Sequence, residues 1–181
     1  MAGSSLFVFA PSFSRKQADA LLRRLPPVSG APIWIDAEPG LRDRHGAVHA
    51  GSFLRERRIA FNCTHREFPR VFVHELFHFV WLRAGNPARR SFERVLAEEW
   101  RRRARGELGW SAERRKRELT SNDVGRRSRR WREYCCESFC DTAAWLYCGV
   151  PDHEEFTLRP AFQRRRREWF RRMIPAGTLS I

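Results

Sequence analysis

Two histidines four residues apart enclose a glutamate in the segment His74-Glu75-Leu76-Phe77-His78. The apolar residues around this segment recur at helical spacing and predict a helix over residues 70–83. Residues four apart lie on one face of a helix, so both imidazoles can reach a single metal ion, while Glu75 is offset toward a water molecule. This H-E-x-x-H pattern predicts a catalytic zinc site held by His74 and His78, with Glu75 as general base.

A catalytic zinc ion needs a third protein ligand besides the two histidines. Glu137 and Asp141 lie four residues apart in an otherwise apolar predicted helix, so both carboxylates project from one face. Burying two carboxylates is costly unless a cation or a donor compensates them. We therefore predict Glu137 as the third ligand and Asp141 as the acceptor that orients the His74 ring through its other nitrogen. Glu98 and Glu99 are the rival ligands, although the arginines that follow them favour an exposed surface.

The elements that must position these residues are predicted by hydrophobic periodicity and turn signals. Helices are predicted over residues 14–25, 70–83, 91–105, 128–148 and 160–173, with a weaker charged helix after residue 111 and a polar break over residues 120–125. Strands are predicted over residues 31–37, 47–53 and 56–62. This order of elements indicates an α+β fold, with a small mixed or antiparallel sheet packed against the helix of His74 and further helices.

Three segments resemble a known family of small zinc enzymes. The H-E-x-x-H pattern followed by an E-x-x-x-D pattern on a later helix resembles the gluzincin group of metallopeptidases. More closely, three blocks are similar to those of the ImmA/IrrE-type metallopeptidases. They are Arg58-Ile-Ala-Phe-Asn62, Arg70-Val-Phe-Val-His-Glu-Leu-Phe-His78 and Glu137-Ser-Phe-Cys-Asp-Thr-Ala-Ala-Trp-Leu146. The stretch between the last two blocks is longer than is usual in that family.

The resemblance implies a single zincin-like metallopeptidase domain over residues 1–181, with an arginine-rich helical insertion over residues 86–130. It implies one catalytic zinc ion and a peptide or protein substrate. It also implies that the strand ending at Asn62 is an edge strand of the sheet, along which the extended substrate pairs. Glu75 would activate the water of the zinc for endopeptidase cleavage and return the proton to the leaving amine. Tyr134, Tyr147 and His153 are candidate donors to the oxyanion, and nothing in the sequence ranks them.

The formal net charge of +14 comes almost entirely from arginine, since Lys16 and Lys116 are the only lysines. Arginine runs on the predicted helices could bind the phosphates of a nucleic acid, but no nucleic-acid-binding motif accompanies them. We therefore favour solvated helix faces for these runs. A basic nucleic-acid-binding protein and a catalytically inert metal-binding protein are the alternative functions.

The cysteines indicate a reducing compartment. They are Cys63, Cys135, Cys136, Cys140 and Cys148. Four of the five fall in one predicted helix, which is unlike a disulfide framework and favours reduced, buried thiols in a cytoplasmic protein. A structural thiolate site with His153 is the alternative, although the spacing forms no C-x-x-C pair. No apolar run approaches the roughly 20 residues that cross a bilayer, so we expect no membrane segment.

Overall fold

Seven helices, a small mixed sheet and two two-stranded sheets make up the described part of the chain, which is α+β. The computed structural model describes residues 6–11, 15–43, 46–174 and 177–181. The strands are β1 (Phe7–Phe9), β2 (Val28–Ser29), β3 (Ile33–Ala37), β4 (Arg42–Asp43), β5 (Gly46–Ala47), β6 (Ala50–Phe53), β7 (Arg58–Phe61) and β8 (Leu179–Ser180). The helices are α1 (Arg15–Leu22), α2 (Phe68–Arg83), α3 (Asn86–Arg101), α4 (Trp110–Arg117), α5 (Ser121–Arg126), α6 (Arg129–Tyr147) and α7 (Pro160–Met173). Within the described ranges, no helix combines the length and the hydropathy that crossing a membrane requires.

The main sheet has four strands in the order β1, β3, β7, β6, while β2 pairs with β8 and β4 with β5 in the two smaller sheets. β3 runs parallel to both β1 and β7, whereas β6 runs antiparallel to β7. A short turn over residues 54–57 joins β6 to β7, and β3 occupies the other side of β7, so β7 is an internal strand. The prediction that the strand ending at Asn62 forms the edge is therefore wrong, because β6 is the edge strand on this side of the described sheet.

Helix α2 lies between the sheet and α6 and is buried on nearly all sides. Phe72 of α2 packs against Phe61 of β7, with ring centroids 6.0 Å apart. Phe77, on the other side of the helix, packs against Phe139 of α6 at 5.8 Å. Because this helix is enclosed on both sides, its polar side chains are removed from water and need hydrogen-bond or charge partners within the fold.

Most helices lie where the sequence predicts them, and their ends differ by a few residues. At the start of α6, the hydroxyl of Ser128 accepts a hydrogen bond from the N–H of Trp131. α3 begins at Asn86, five residues before the predicted start, because Pro87 fits the first turn, where its missing N–H costs no hydrogen bond. Ser14, the predicted first residue of α1, lies outside the described residues.

Helix α5 takes the place of the polar break predicted over residues 120–125. The hydroxyl of Thr120 accepts a hydrogen bond from the N–H of Asp123, and the Asp123 carboxylate accepts one from the N–H of Thr120 at 3.0 Å. This reciprocal cap satisfies two donors that the first turn of a helix leaves unpaired. The spacing of Thr120 and Asp123 is therefore a signal for a helix start that outweighs the polarity of the segment.

A network of buried charges joins α3, α4, α6 and α7. Arg166 of α7 is fully buried, and its guanidinium contacts Glu99 of α3 at 2.6 Å and Glu107 at 2.7 Å. Lys116 of α4 and the hydroxyl of Tyr134 also donate to Glu107, at 2.9 and 2.6 Å. Burial alone would raise the pKa of Glu107, but Arg166 and Lys116 lower it to about 2. The prediction of solvated arginine runs is therefore wrong at Arg166, whose charge two buried glutamates balance.

Replacing Arg166 with methionine should destabilise the fold, because Glu99 and Glu107 would stay buried without this cation. Removing one partner of a buried ion pair typically costs about 4 kcal/mol. Urea unfolding followed by circular dichroism measures the change in the free energy of unfolding. Arg164→Met, at an exposed position of the same helix, is the control and should change that free energy by less than about 0.5 kcal/mol. Equal effects of the two substitutions would contradict a stabilising role for the network.

Candidate metal centre

Two helices bring three side chains with metal-binding atoms together. His74 and His78 project from α2, and Glu137 projects toward them from α6. The Nε2 atom of His74 lies 3.2 Å from Nε2 of His78 and 3.3 Å from Oε2 of Glu137. One donor atom of each residue lies within 4.8 Å of the donor atoms of the other two. The structure thus brings together the three residues predicted as ligands, and their binding of a metal stays a prediction.

Asp141 contacts the ring of His74 on its other side. Its Oδ1 atom lies 2.7 Å from Nδ1 of His74, and its Oδ2 atom accepts a hydrogen bond from the backbone N–H of Ala112 at 3.0 Å. Ala112 lies in the first turn of α4, where backbone N–H groups lack partners within the helix. Because a carboxylate only accepts, Nδ1 of His74 carries the proton, and Nε2 of a neutral ring presents a lone pair toward His78 and Glu137.

The ring of His78 contacts a cysteine that sequence reasoning did not connect with it. Nδ1 of His78 lies 3.5 Å from Sγ of Cys136, which precedes Glu137 on α6. Hydrogen bonds with Cys140 and His78 lower the pKa of Cys136 to about 6, although burial opposes this shift. Cys136, Cys140 and His78 also form a second group with donor atoms within 4.8 Å of one another. The thiolate alternative therefore involves His78 in the structure, and the predicted partner His153 is not part of that group.

The three predicted ligands require positive charge between them. Burial alone would lower the pKa of His74, but Asp141 and Glu137 raise it well above its usual value. Cys136 and Glu137 raise the pKa of His78 to about 9, although burial alone would lower it. The histidines lower the pKa of Glu137 to about 2 although burial would raise it. Protons or a divalent cation can supply this charge, and two imidazole nitrogens with one carboxylate oxygen form a donor set that fits zinc.

Glu75 lies outside the ligand group and lines the cavity beside it. The hydroxyl of Ser52, on β6, lies 2.5 Å from Oε2 of Glu75 and 2.8 Å from its backbone oxygen. A hydrogen bond from this hydroxyl to the carboxylate holds Glu75 at the edge strand of the sheet. Sequence reasoning missed Ser52, because nothing in the local pattern indicates that β6 passes next to α2 at this residue.

Helix α4 also reaches the predicted third ligand directly. Nη2 of Arg115 lies 3.0 Å from Oε1 of Glu137, while the other carboxylate oxygen, Oε2, faces His74. The guanidinium therefore neutralises one side of the carboxylate and leaves the other oxygen toward the histidines. Sequence reasoning missed Arg115, since it belongs to an arginine run in which no position stands out from its neighbours.

A cavity of about 490 Å³ lies against these groups. Its lining includes His74, Glu75, His78, Glu137 and Asp141. Residues 47–50, which lead into β6, form another part of the lining, and Trp110, Ser111 and Arg114 of α4 form a third. His49 also belongs to this lining. The volume falls in the range of about 300–1,000 Å³ that is usual for binding sites, so the cavity can admit a ligand.

Glu98 and Glu99, the rival ligands, lie away from this centre. Glu98 contacts Arg102, the residue directly after α3, at 2.6 Å, and Glu99 is enclosed in the charge network with Arg166. Neither is among the described residues that line the cavity. The expectation that both face water is wrong for Glu99, which is fully buried because Arg166 balances its charge. Glu137 is the glutamate that the structure brings to the two histidines.

The three predicted oxyanion donors do not belong to the described lining of the cavity. The hydroxyl of Tyr134 donates to Glu107 in the buried network, and the ring of Tyr147 packs in the aromatic core. Nε2 of His153 lies 3.5 Å from a carboxylate oxygen of Glu67. The structure therefore does not bring these three side chains to the described lining, because the position of a residue along the chain does not reveal which neighbour its side chain faces, and their role as oxyanion donors stays a prediction.

Comparisons with protein-family models, with curated proteins and with solved structures find no match to this chain. The chemistry of the centre must therefore be inferred from its own atoms. The centre consists of the imidazoles of His74 and His78 and the carboxylate of Glu137, and the carboxylate of Glu75 lines the adjoining cavity.

His78→Ala and Glu137→Ala should each lose bound zinc, because either substitution leaves two protein ligands where a catalytic zinc site uses three. Protein purified in the presence of zinc and then dialysed is assayed by plasma mass spectrometry, and circular dichroism reports folding. The wild-type chain should retain one equivalent of zinc. Glu98→Ala removes a glutamate outside the centre and is the matched control, which should retain zinc fully. A normal zinc content in Glu137→Ala would contradict the assignment of that residue.

Gly109 lies against the carboxyl group of Asp141 in extended backbone, so the close approach rather than the conformation favours glycine. A Cβ atom here would overlap that carboxyl, which His74 and Ala112 both hold in place. Gly109→Ala should therefore displace Asp141 and weaken zinc affinity about 10- to 100-fold, as measured by competition with a chromophoric chelator. Gly125→Ala, where a Cβ atom meets nothing within 4 Å, is the control. Unchanged affinity in Gly109→Ala would argue against Asp141 as the group that orients His74.

Proposed function

We propose that this chain is a zinc-dependent endopeptidase with a zincin-like fold. The observation that carries the proposal is the convergence of His74, His78 and Glu137 beside a cavity that Glu75 also lines. Two histidines from an H-E-x-x-H helix and a glutamate from a second helix form the ligand set of the gluzincin metallopeptidases that the sequence resembles. The domain would span residues 1–181, with residues 86–130 as an arginine-rich helical insertion.

The arrangement of elements supports the zincin-like part of the proposal. The blocks that resemble the ImmA/IrrE-type metallopeptidases correspond to β7, α2 and α6. β7 packs on one side of α2, and α6 packs on the other. The H-E-x-x-H helix is thus enclosed between a mixed sheet and the helix of the third ligand, with an antiparallel strand, β6, at the sheet edge beside it.

The chain's own residues would hold the ion and move the proton. His74, His78 and Glu137 would bind zinc through the atoms that face one another. A zinc ion in a catalytic site supplies Lewis acidity, which makes water a stronger acid and a peptide carbonyl more electrophilic. A carboxylate oxygen of Glu75 would take a proton from the attacking water, and Glu75 would then deliver that proton to the leaving amine. Ser52 would keep that carboxylate in one orientation through its hydroxyl.

Strand β6 is the edge along which a peptide substrate would pair. Among the described strands, β6 has β7 as its one neighbour, so its other edge carries backbone groups without a strand partner. An extended peptide can add to such an edge as a further strand. The contact between Ser52 and Glu75 places this edge next to the proposed general base.

The cysteines support a cytoplasmic location as part of the proposal. All five are free thiols, and Cys135, Cys140 and Cys148 are buried. Free thiols persist in reducing compartments, where disulfides are rare. The contact between Cys136 and His78 would also depend on a reduced sulfur.

Glu75→Gln should retain zinc and lose peptide cleavage, because glutamine preserves the shape of the side chain but cannot accept the proton. General acid–base catalysis typically contributes about 10²–10⁴-fold, so the cleavage rate should fall by a factor in that range. The assay uses a mixture of proteome-derived peptides whose cleavage sites are identified by mass spectrometry, with zinc content measured on the same samples.

Glu113→Gln is the matched control for this experiment. Glu113 lies on α4, pairs with Arg117 at 3.1 Å and is not among the described lining residues, so this variant should keep both zinc and cleavage. Cleavage at the wild-type rate by Glu75→Gln would remove Glu75 from its role. Zinc binding by the wild-type chain without cleavage of any peptide would favour the alternative of a catalytically inert metal-binding protein.

A further inference from the structure

Arg114 is a cation of the cavity lining that has no carboxylate partner among the described residues. Two other arginines of the lining are neutralised, since Arg70 pairs with Glu155 at 3.0 Å and Arg115 pairs with Glu137 at 3.0 Å. Arg114 is half-buried, and its guanidinium faces an aromatic ring instead of an acid. A partly desolvated charge of this kind is satisfied when a ligand brings the opposite charge.

The ring that Arg114 faces is an exposed indole. The Cζ atom of Arg114 lies 5.9 Å from the ring centroid of Trp110, one turn earlier on α4. Trp110 is 54% exposed and also lines the cavity. Large aromatic side chains are mostly buried, so this exposure leaves an apolar surface directly beside a positive charge. A carboxylate at the end of a short hydrocarbon stem matches both features.

The same cavity is lined by the residues that lead into the edge strand. Residues 47–50 share the lining with Trp110 and Arg114, so a peptide paired along β6 would enter the space that these α4 side chains face. We propose that Arg114 determines substrate specificity by binding a carboxylate of the peptide close to the bond that is cleaved. This inference rests on the proposed peptidase function and names the substrate class as acidic peptides.

The acidic groups of the lining do not exclude such a substrate, because each already has a partner. These groups and partners are Glu75 with Ser52, Glu137 with Arg115, Asp141 with His74 and Ala112, and Glu155 with Arg70. The formal net charge of +14 also favours the approach of negatively charged chains over neutral or basic ones.

Arg114→Ala and Arg114→Glu test the inference, with Arg117→Ala as the matched control. Arg117 lies on the same helix, is exposed and pairs with Glu113, and it does not belong to the described lining. The control therefore removes the same charge from the same helix without touching the cavity. Each variant is zinc-loaded, checked by circular dichroism and assayed on the proteome-derived peptide mixture, followed by pairs of synthetic peptides that differ by Glu or Gln at one position.

The wild-type enzyme should cleave bonds with Asp or Glu enriched at a fixed distance from the cut. The ratio of kcat/KM for the Glu peptide to that for the Gln peptide should fall about tenfold in Arg114→Ala, because a charge-assisted hydrogen bond is lost. Arg114→Glu should favour Lys or Arg at the same position, a reversal that mere loss of structure would not produce. Arg117→Ala should keep the wild-type ratio.

A substrate carboxylate can come from an acidic side chain or from a free C-terminus. If Asp or Glu is enriched at internal positions and amidation of the peptide C-terminus does not change cleavage, the carboxylate is that of a side chain. If cleavage occurs at a fixed distance from the C-terminus and amidation abolishes it, the carboxylate is that of the terminus. Either result supports the inference. Cleavage that depends neither on an acidic side chain nor on a free C-terminus, or a dependence that Arg114→Ala leaves unchanged, overturns it and leaves the peptidase function standing. No cleavage of any peptide by the zinc-loaded wild-type chain overturns the peptidase function and this inference together.

Discussion

The meeting of two imidazole nitrogens and one carboxylate oxygen in a largely buried space is the constraint on which this structure depends. Three lone pairs at these distances repel one another unless a proton or a metal ion lies among them, and partial burial limits the water that would weaken the repulsion. The arrangement persists only if the distance between α2 and α6 and the rotation of each helix about its own axis stay fixed. Dense aromatic packing between the two helices, as in the contact of Phe77 with Phe139, supplies that rigidity.

Helix α4 extends this support well beyond the two ligand helices. Its first turn donates backbone N–H groups to the carboxylates of Glu155 and Asp141, and the positive end of the helix dipole favours both. Further along α4, Lys116 joins the buried charges around Arg166. The segment predicted as an insertion, residues 86–130, therefore contacts the centre through the first turn of α4 and through Arg115, and Lys116 joins the same helix to the buried charge network. Arginines of this segment thus balance carboxylates inside the fold, as Arg115 does for Glu137.

Local sequence was sufficient wherever a single helix determines the geometry. The spacing of His74 and His78 places both rings on one face of α2, and the spacing of Glu137 and Asp141 does the same for two carboxylates on α6. Hydrophobic periodicity also predicted the main helices and the α+β class, because it reports directly which face of each element is buried. It failed for Arg166, since the surrounding arginines are mostly exposed and the pattern carries no trace of the glutamates that enclose it.

Contacts between elements distant in the chain were decided by the tertiary structure. Strand order made β6 the edge and brought Ser52 to Glu75, and helix packing turned Tyr134 toward the charge network and Cys136 toward His78. The amino-acid sequence by itself determined which residues can bind an ion and which helix faces carry them. The fold determined which groups balance the charges of these residues. Spacing along the chain sets only the face of one helix on which a side chain lies, whereas the contact between two elements depends on every side chain that packs between them.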